Sequence, residues 1–175
     1  MDVFIKSPNT GDPLVGLVWP GGTTWVDWFH PNATKYWHSE FDYFRQTVEF
    51  DGLWIDMNEV TSFCDGECGY GPGQLDLPYV PGGDGFGNIT KWALSLNAQH
   101  YGNDPLLIEF NTHSLFGYME AETTASYFTD ELTKRPFIIS RSTYPTQGRH
   151  SGHWLGDNYA TWEFMGTSIP GIFNF

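Results

Sequence analysis

Positive charge is what this sequence has least of: eight Lys and Arg stand against 21 Asp and Glu, a formal net charge of −13. Such a surface repels phosphate backbones and anionic lipid, which argues against a nucleic-acid partner. Charged residues of both signs make up only 17% of the chain, below the roughly 25% of an ordinary soluble protein. No run approaches the roughly 18 consecutive apolar residues of a membrane span. The opening Met1-Asp2-Val3-Phe4-Ile5-Lys6 lacks the basic and apolar regions of a secretory signal. Cysteine is confined to Cys64 and Cys68. The pair supplies too few ligands for a structural zinc site, and it is spaced one residue too widely for a C-x-x-C redox motif. A short local disulfide is the better reading. Two glycosylation sequons, at Asn32 and Asn88, agree with it and point to the lumen of the secretory pathway or the extracellular space. A targeting segment would then lie elsewhere.

Aromatic residues are abundant, at 18% of the chain with eight Trp, nine Tyr and fourteen Phe. They serve either to pack a core, where large rings dominate buried area, or to stack against sugar rings. Tyr36, Trp37, Phe41, Phe44 and Val48 recur at helical spacing after Pro31, which predicts a helix through Glu49. Asp51-Gly52 ends it, and Leu53-Trp54-Ile55 reads as a short buried parallel strand. The glycine-rich, proline-bearing stretch from Cys64 to Asn88 reads as a surface excursion. A second helix is expected over about Ser114 to Asp130 despite Gly117 inside it. Strands are expected at Arg135–Ser140 and, more weakly, Gly152–Gly156, with a third helix after Asn158. Alternating strands and helices make this an α/β chain, either part of a (β/α)8 barrel or an open doubly wound sheet. A complete barrel takes about 250 residues, so 1–175 would be one partial barrel domain, cut at both ends.

Charged groups at the ends of predicted strands are candidates for chemistry, because such positions converge above a barrel. Asp56 follows Leu53-Trp54-Ile55, Arg141 follows Phe137-Ile138-Ile139-Ser140, and Asp157 follows Trp154-Leu155-Gly156. Each has a structural alternative: a loop cap for Asp56, a helix N-cap for Asp157, an ion-pair partner for Arg141. Together, near Trp19, Trp54 and Trp154, they fit glycoside hydrolysis, in which one carboxylate attacks while the other donates a proton. Arg141 beside Asp56 would favour its charged form, and Trp154 would desolvate Asp157 and favour its protonated form. A helix starting at Asn158 would oppose the latter.

The run Asp51-Gly52-Leu53-Trp54-Ile55-Asp56-Met57-Asn58-Glu59 resembles the nucleophile signature of glycoside hydrolase family 31. The run Arg135 to Thr143, then Gly148-Arg149 and Gly152 to Asn158, resembles the family's acid/base segment. Val18-Trp19-Pro20-Gly21 with Asp27 and Pro31, and Asn111 to Gly117, extend the likeness over nearly the whole chain. Gly22 to Val26 departs from it, since family members more often carry an aromatic and then Phe-Pro before the Asp.

The resemblance implies a (β/α)8 barrel and a secreted retaining α-glucosidase of eukaryotic, fungal or yeast type, acting on maltose-like or starch-like oligosaccharides. In it Asp56 would be the nucleophile after the fourth strand and Asp157 the general acid/base after the sixth. Trp19, Trp54, Met57, Arg141 and Trp154 would line the sugar subsite, with Glu59 and Arg149 holding the loops. Neither a metal nor an organic cofactor is implied. The family's substrate-binding Asp on an earlier strand and His after a later one fall outside these residues. An α-xylosidase or an α-glucan lyase would share the nucleophile motif. A sugar-binding homologue without turnover, or an inactive truncated product, is the alternative of another class.

Overall fold

The computed structural model describes residues 1–73, 89 and 91–174, apart from the side chain of Asn103. Most of the Cys64 to Asn88 excursion, and the Asn88 sequon with it, lies outside the described residues. A hairpin of β1 (Gly16–Val18) and β2 (Gly21–Thr23) opens the chain, turning at Trp19-Pro20. Helix α1 (Ala33–Arg45) leads to β3 (Leu53–Ile55). After the excursion come α2 (Glu109–Thr112), a 3-10 turn, α3 (Phe116–Ser126) and a wide π turn over Tyr127–Glu131. Strands β4 (Ile138–Ser140) and β5 (Gly152–His153) follow, and α4 (Trp162–Asn174) closes the chain.

Strands β3, β4 and β5 lie side by side in that order, all parallel. Neighbours in sequence are neighbours in space, as in a barrel; the described strands include no order reversal of the kind that marks a doubly wound sheet. They form a segment and do not close a barrel. Two apolar clusters support it. One gathers Ile5, Leu14, Trp25, Trp28, Val60 and Leu94 beneath the hairpin. The other sits between sheet and α3, where Ile55 and Ile138 meet Ala121, Ala125 and Phe128. Small alanines one turn apart let the helix approach the strands closely, and each buried large side chain is worth about 1.5–3 kcal/mol.

Three expected boundaries move, each for a physical reason. Helix α1 ends at Arg45 rather than Glu49, because the Arg45 guanidinium donates to the Phe50 carbonyl and lies over the Phe50 ring. Val48, counted on the apolar face, is exposed. Strand β5 stops at His153 because the chain turns at Gly156, whose φ is 87°. The last helix begins at Trp162, where the Thr161 hydroxyl accepts the Phe164 N–H at 3.3 Å. Thr161, not Asp157, therefore caps that helix. No helix among the described residues is long and apolar enough to cross a membrane.

Candidate active site

Strand register assembles the site. Ile55 pairs with Ser140, and Ser140 with His153, so the residues one step further, Asp56, Arg141 and Trp154, stand together at the C-terminal edge of the sheet. Backbone bonds continue the alignment past the strands: the Arg141 N–H reaches the Ile55 carbonyl at 3.3 Å and the Trp154 N–H reaches the Ser140 carbonyl at 3.2 Å. Side chains meet accordingly. Arg141 Nε lies 3.3 Å from Asp56 Oδ1. Met57 adopts a left-handed φ of 58°, and its N–H donates to Asp56 Oδ1 at 2.7 Å. This is an unusual conformation for a residue without the freedom of glycine, of the kind that concentrates at functional sites.

Glu59 completes the grip on Arg141. Arg141 donates to both its carboxylate oxygens, Nε to Oε1 at 2.8 Å and Nη2 to Oε2 at 3.0 Å, the fork geometry that suits guanidinium to carboxylate. Burial pushes the Glu59 carboxyl up, but the hydrogen bond and charge of Arg141 more than offset it and hold it below the usual carboxylate range. Arg141 is raised in turn, first by Glu59 and then by the nearby charges of Asp56 and Asp157. One guanidinium thus lies in the field of both candidate catalytic carboxylates.

Behind this row, buried Asn58 ties the two loops together. Its Nδ2 donates to Ser140 Oγ at 2.8 Å, and its Oδ1 accepts the Ser142 N–H at 3.0 Å. Helix α3 presses against the same junction at Gly117, where an added Cβ would come within 2.6 Å of both the Asn58 carbonyl and Ser142. The glycine inside a helix is explained by that close approach.

The second carboxylate is held differently. Asp157 follows Gly156, itself in the left-handed region and lying over the Arg141 side chain, and Asp157 is exposed. Trp154 meets Trp54 edge to face with ring centres 5.6 Å apart. Trp54 stands on the sheet face opposite buried Ile55 and is 67% exposed. Across the site, Trp19 is 84% exposed at the hairpin turn and packs edge to face on Phe63. A cavity of about 260 Å³ runs between Trp19, Trp25, Trp28, Asp56, Met57 and Glu120.

Of the residues singled out in the sequence, Asp56, Met57, Glu59, Arg141, Trp154 and Trp54 come together around the strand ends, and Trp19 joins Asp56 across the cavity. Arg149 sits exposed on a separate 3-10 turn, Gln147–Arg149, outside the Glu59–Arg141 pairing. Cys64 and Cys68 are joined in a disulfide, and Asn32 is exposed just before α1. Three supporting groups carry no mark of their own in the sequence: Asn58 sits inside a motif, Glu120 lies beside the apolar face of its helix, and a buried network around His100 draws on residues distant in the chain. In that network His100 Nδ1 lies 2.7 Å from Asp27 Oδ1 and Nε2 lies 2.8 Å from Thr112 Oγ1, with Glu109 3.8 Å away.

The whole chain, residues 1–175, matches the glycosyl hydrolases family 31 TIM-barrel domain. It is 37% identical to an alpha-glucosidase of Mucor javanicus, over all of this chain and 24% of that protein. It is 40% identical to the intestinal sucrase-isomaltase of Oryctolagus cuniculus, over 99% of this chain and 9% of that protein. A crystal structure of a glucosidase II alpha subunit superposes with a TM-score of 0.72 at 26% identity, covering 97% of this chain and 16% of that one. The chain belongs to glycosyl hydrolase family 31. It spans a quarter or less of the length of these relatives.

Proposed function

We propose that this chain carries the nucleophile and the general acid/base of a retaining α-glucosidase, within a barrel that further residues of a longer polypeptide complete. The observation that supports it best is the placement of Arg141, in contact with Asp56 and in the field of Asp157. In the first step Asp56 attacks the anomeric carbon of a terminal α-linked glucose while Asp157 protonates the departing oxygen. In the second Asp157 takes a proton from water, which releases glucose from the glycosyl-aspartate, so the two carboxyls stand about 5 Å apart in the working enzyme. Arg141 orients Asp56, and Trp19, Trp54, Met57 and Trp154 wall the sugar ring. Glu59 fixes Arg141; Arg149 serves the loop after β4. Two carboxylates suffice for this chemistry, with no metal or organic cofactor called upon. The substrate is a maltose-like or starch-like oligosaccharide. The disulfide and exposed Asn32 suit the secretory pathway lumen or the extracellular space, with Asn32 and Asn88 as glycosylation sites.

Proton NMR of the first sugar released by the full-length enzyme tests this. The expected product is α-glucose at early times. Early β-glucose would require inversion and overturn the roles. Xylose from α-xylosides or an unsaturated anhydro sugar would keep the first covalent step and change the substrate class or the second step. Absence of turnover would leave a sugar-binding homologue.

A further inference from the structure

Glu120 lies on α3, one turn beyond the close approach at Gly117, and lines the cavity that also holds Asp56. It therefore reaches the loop Asp56-Met57-Asn58-Glu59 from behind. Its Oε2 is sealed from solvent and has no hydrogen-bond partner among the described residues. The groups beside it are the Asn58 amide, which favours its ionised form, and the Glu59 carboxylate, whose charge opposes that form. Glu59 is itself occupied by Arg141, so that guanidinium is committed to Glu59 and Asp56. Ionised, Glu120 would carry a charge on a sealed oxygen beside the Glu59 carboxylate, a state that desolvation disfavours. Burial first, then Glu59, pushes its carboxyl up to about 8.

We propose that Glu120 is a positioning residue for the nucleophile: from the cavity it shares with Asp56, Met57 and Asn58 it braces Asn58 from behind and sets the distance of the Asp56–Glu59 loop from Arg141. Its neutrality leaves Glu59 as the carboxylate that shares Arg141 with Asp56. Asn58 transmits the effect, since it links the loop after β3 to Ser140 and Ser142. This inference rests on Asp56 being the nucleophile.

The test uses the full-length enzyme that contains this chain. Glu120→Leu is expected to lower kcat by about 10²-fold with little change in KM, the loss that accompanies a displaced reacting group. Glu120→Gln, neutral and of the same shape, is expected to restore kcat to within about threefold of the wild type. A second readout follows from protonation. Glu120 keeps its proton in the folded protein to about pH 8 but in the unfolded chain only to its ordinary 4.5. The wild type then loses stability as pH rises across that window, whereas Glu120→Gln does not. Their melting temperatures should diverge over that range, with the variant ahead at its upper end. A Gln variant that loses kcat by about 10²-fold against the wild type, or a gap that stays constant with pH, overturns the proposal; should Glu120→Leu fail to fold, these two results still decide it. Asp56→Asn separates the layers. An active Asp56→Asn would remove the reading of the site and this role with it. An inactive Asp56→Asn alongside a fully active Glu120→Leu would overturn the role of Glu120 alone.

Discussion

The two carboxylates of the site sit in unlike surroundings. Asp56 ends a strand whose Ile55 is packed beneath α3, and it is gripped by Arg141, which is gripped in turn by Glu59. Asp157 lies past the end of a two-residue strand, turns out on Gly156, and precedes a helix with no buried side chain among its described residues. The neighbouring Trp162 and Phe173 are 83% and 85% exposed. Local sequence suffices to build the half of the site around Asp56. The half around Asp157 has its backbone path but not its packing, and an apolar surface of this kind is what a covering element takes up. In the proposed barrel, later strands would supply that cover and with it the dry surroundings a proton donor needs.

The largest expected effect lies on the packed side. Arg141→Ala in the full-length enzyme leaves Asp56 and Glu59 repelling each other, and kcat/KM should fall by about 10²–10³-fold, the usual size for losing a preorganised charged group. Arg141→Lys should recover little, because an ammonium cannot make the fork to Glu59. A loss under about fivefold would show that the grip does not serve the nucleophile.

Beneath the same half, His100 is wedged between Asp27 and Glu109. Burial lowers its pKa, but hydrogen bonds and charge from the two carboxylates win and raise it from 6.5 to about 9. The folded value exceeds the unfolded one, so the stabilisation is full below pH 6.5 and disappears as the pH rises through about 9. His100→Asn should cost about 3 kcal/mol in denaturant melts on the acidic side of that window. The difference from the wild type should shrink on its alkaline side. A pH-independent cost would mean that His100 acts by shape.

The smallest effect contrasts two helical glycines. Gly117→Ala in α3 must push Asn58 and Ser142 and should cost about 1–3 kcal/mol. Gly166→Ala in α4, where an added Cβ meets nothing within 4 Å, should stabilise by about 0.5–1 kcal/mol. Equal destabilisation in thermal melts would erase the contrast between the two halves.

Legibility in the sequence followed the same division. Strand-end positions for Asp56 and Arg141 were readable because Leu53-Trp54-Ile55 and Phe137-Ile138-Ile139 are apolar runs each broken by one charge, and the register then pairs them. The helix over α3 was readable from its spacing, and Gly117 looked like a defect until its contact with Asn58 explained it. Asp157 carries a helix cap as its alternative reading, since an Asp before a polar stretch has the composition of a cap; Thr161, four residues on, takes that bond. The β1–β2 hairpin and the partners of His100 were not readable. Asp27, His100 and Glu109 are distant in sequence, and only the folded chain brings a buried cation to two buried anions. Glu120 was hidden because a carboxylate on a helix ordinarily marks the solvent side.

The identity of the nucleophile is the claim on which the rest depends. Incubating the full-length enzyme with a mechanism-based α-glucosidase inactivator, followed by peptide mapping, tests it most directly. The account predicts a single covalent sugar on the carboxylate of Asp56; a label on Asp157, on another residue, or on none would contradict it.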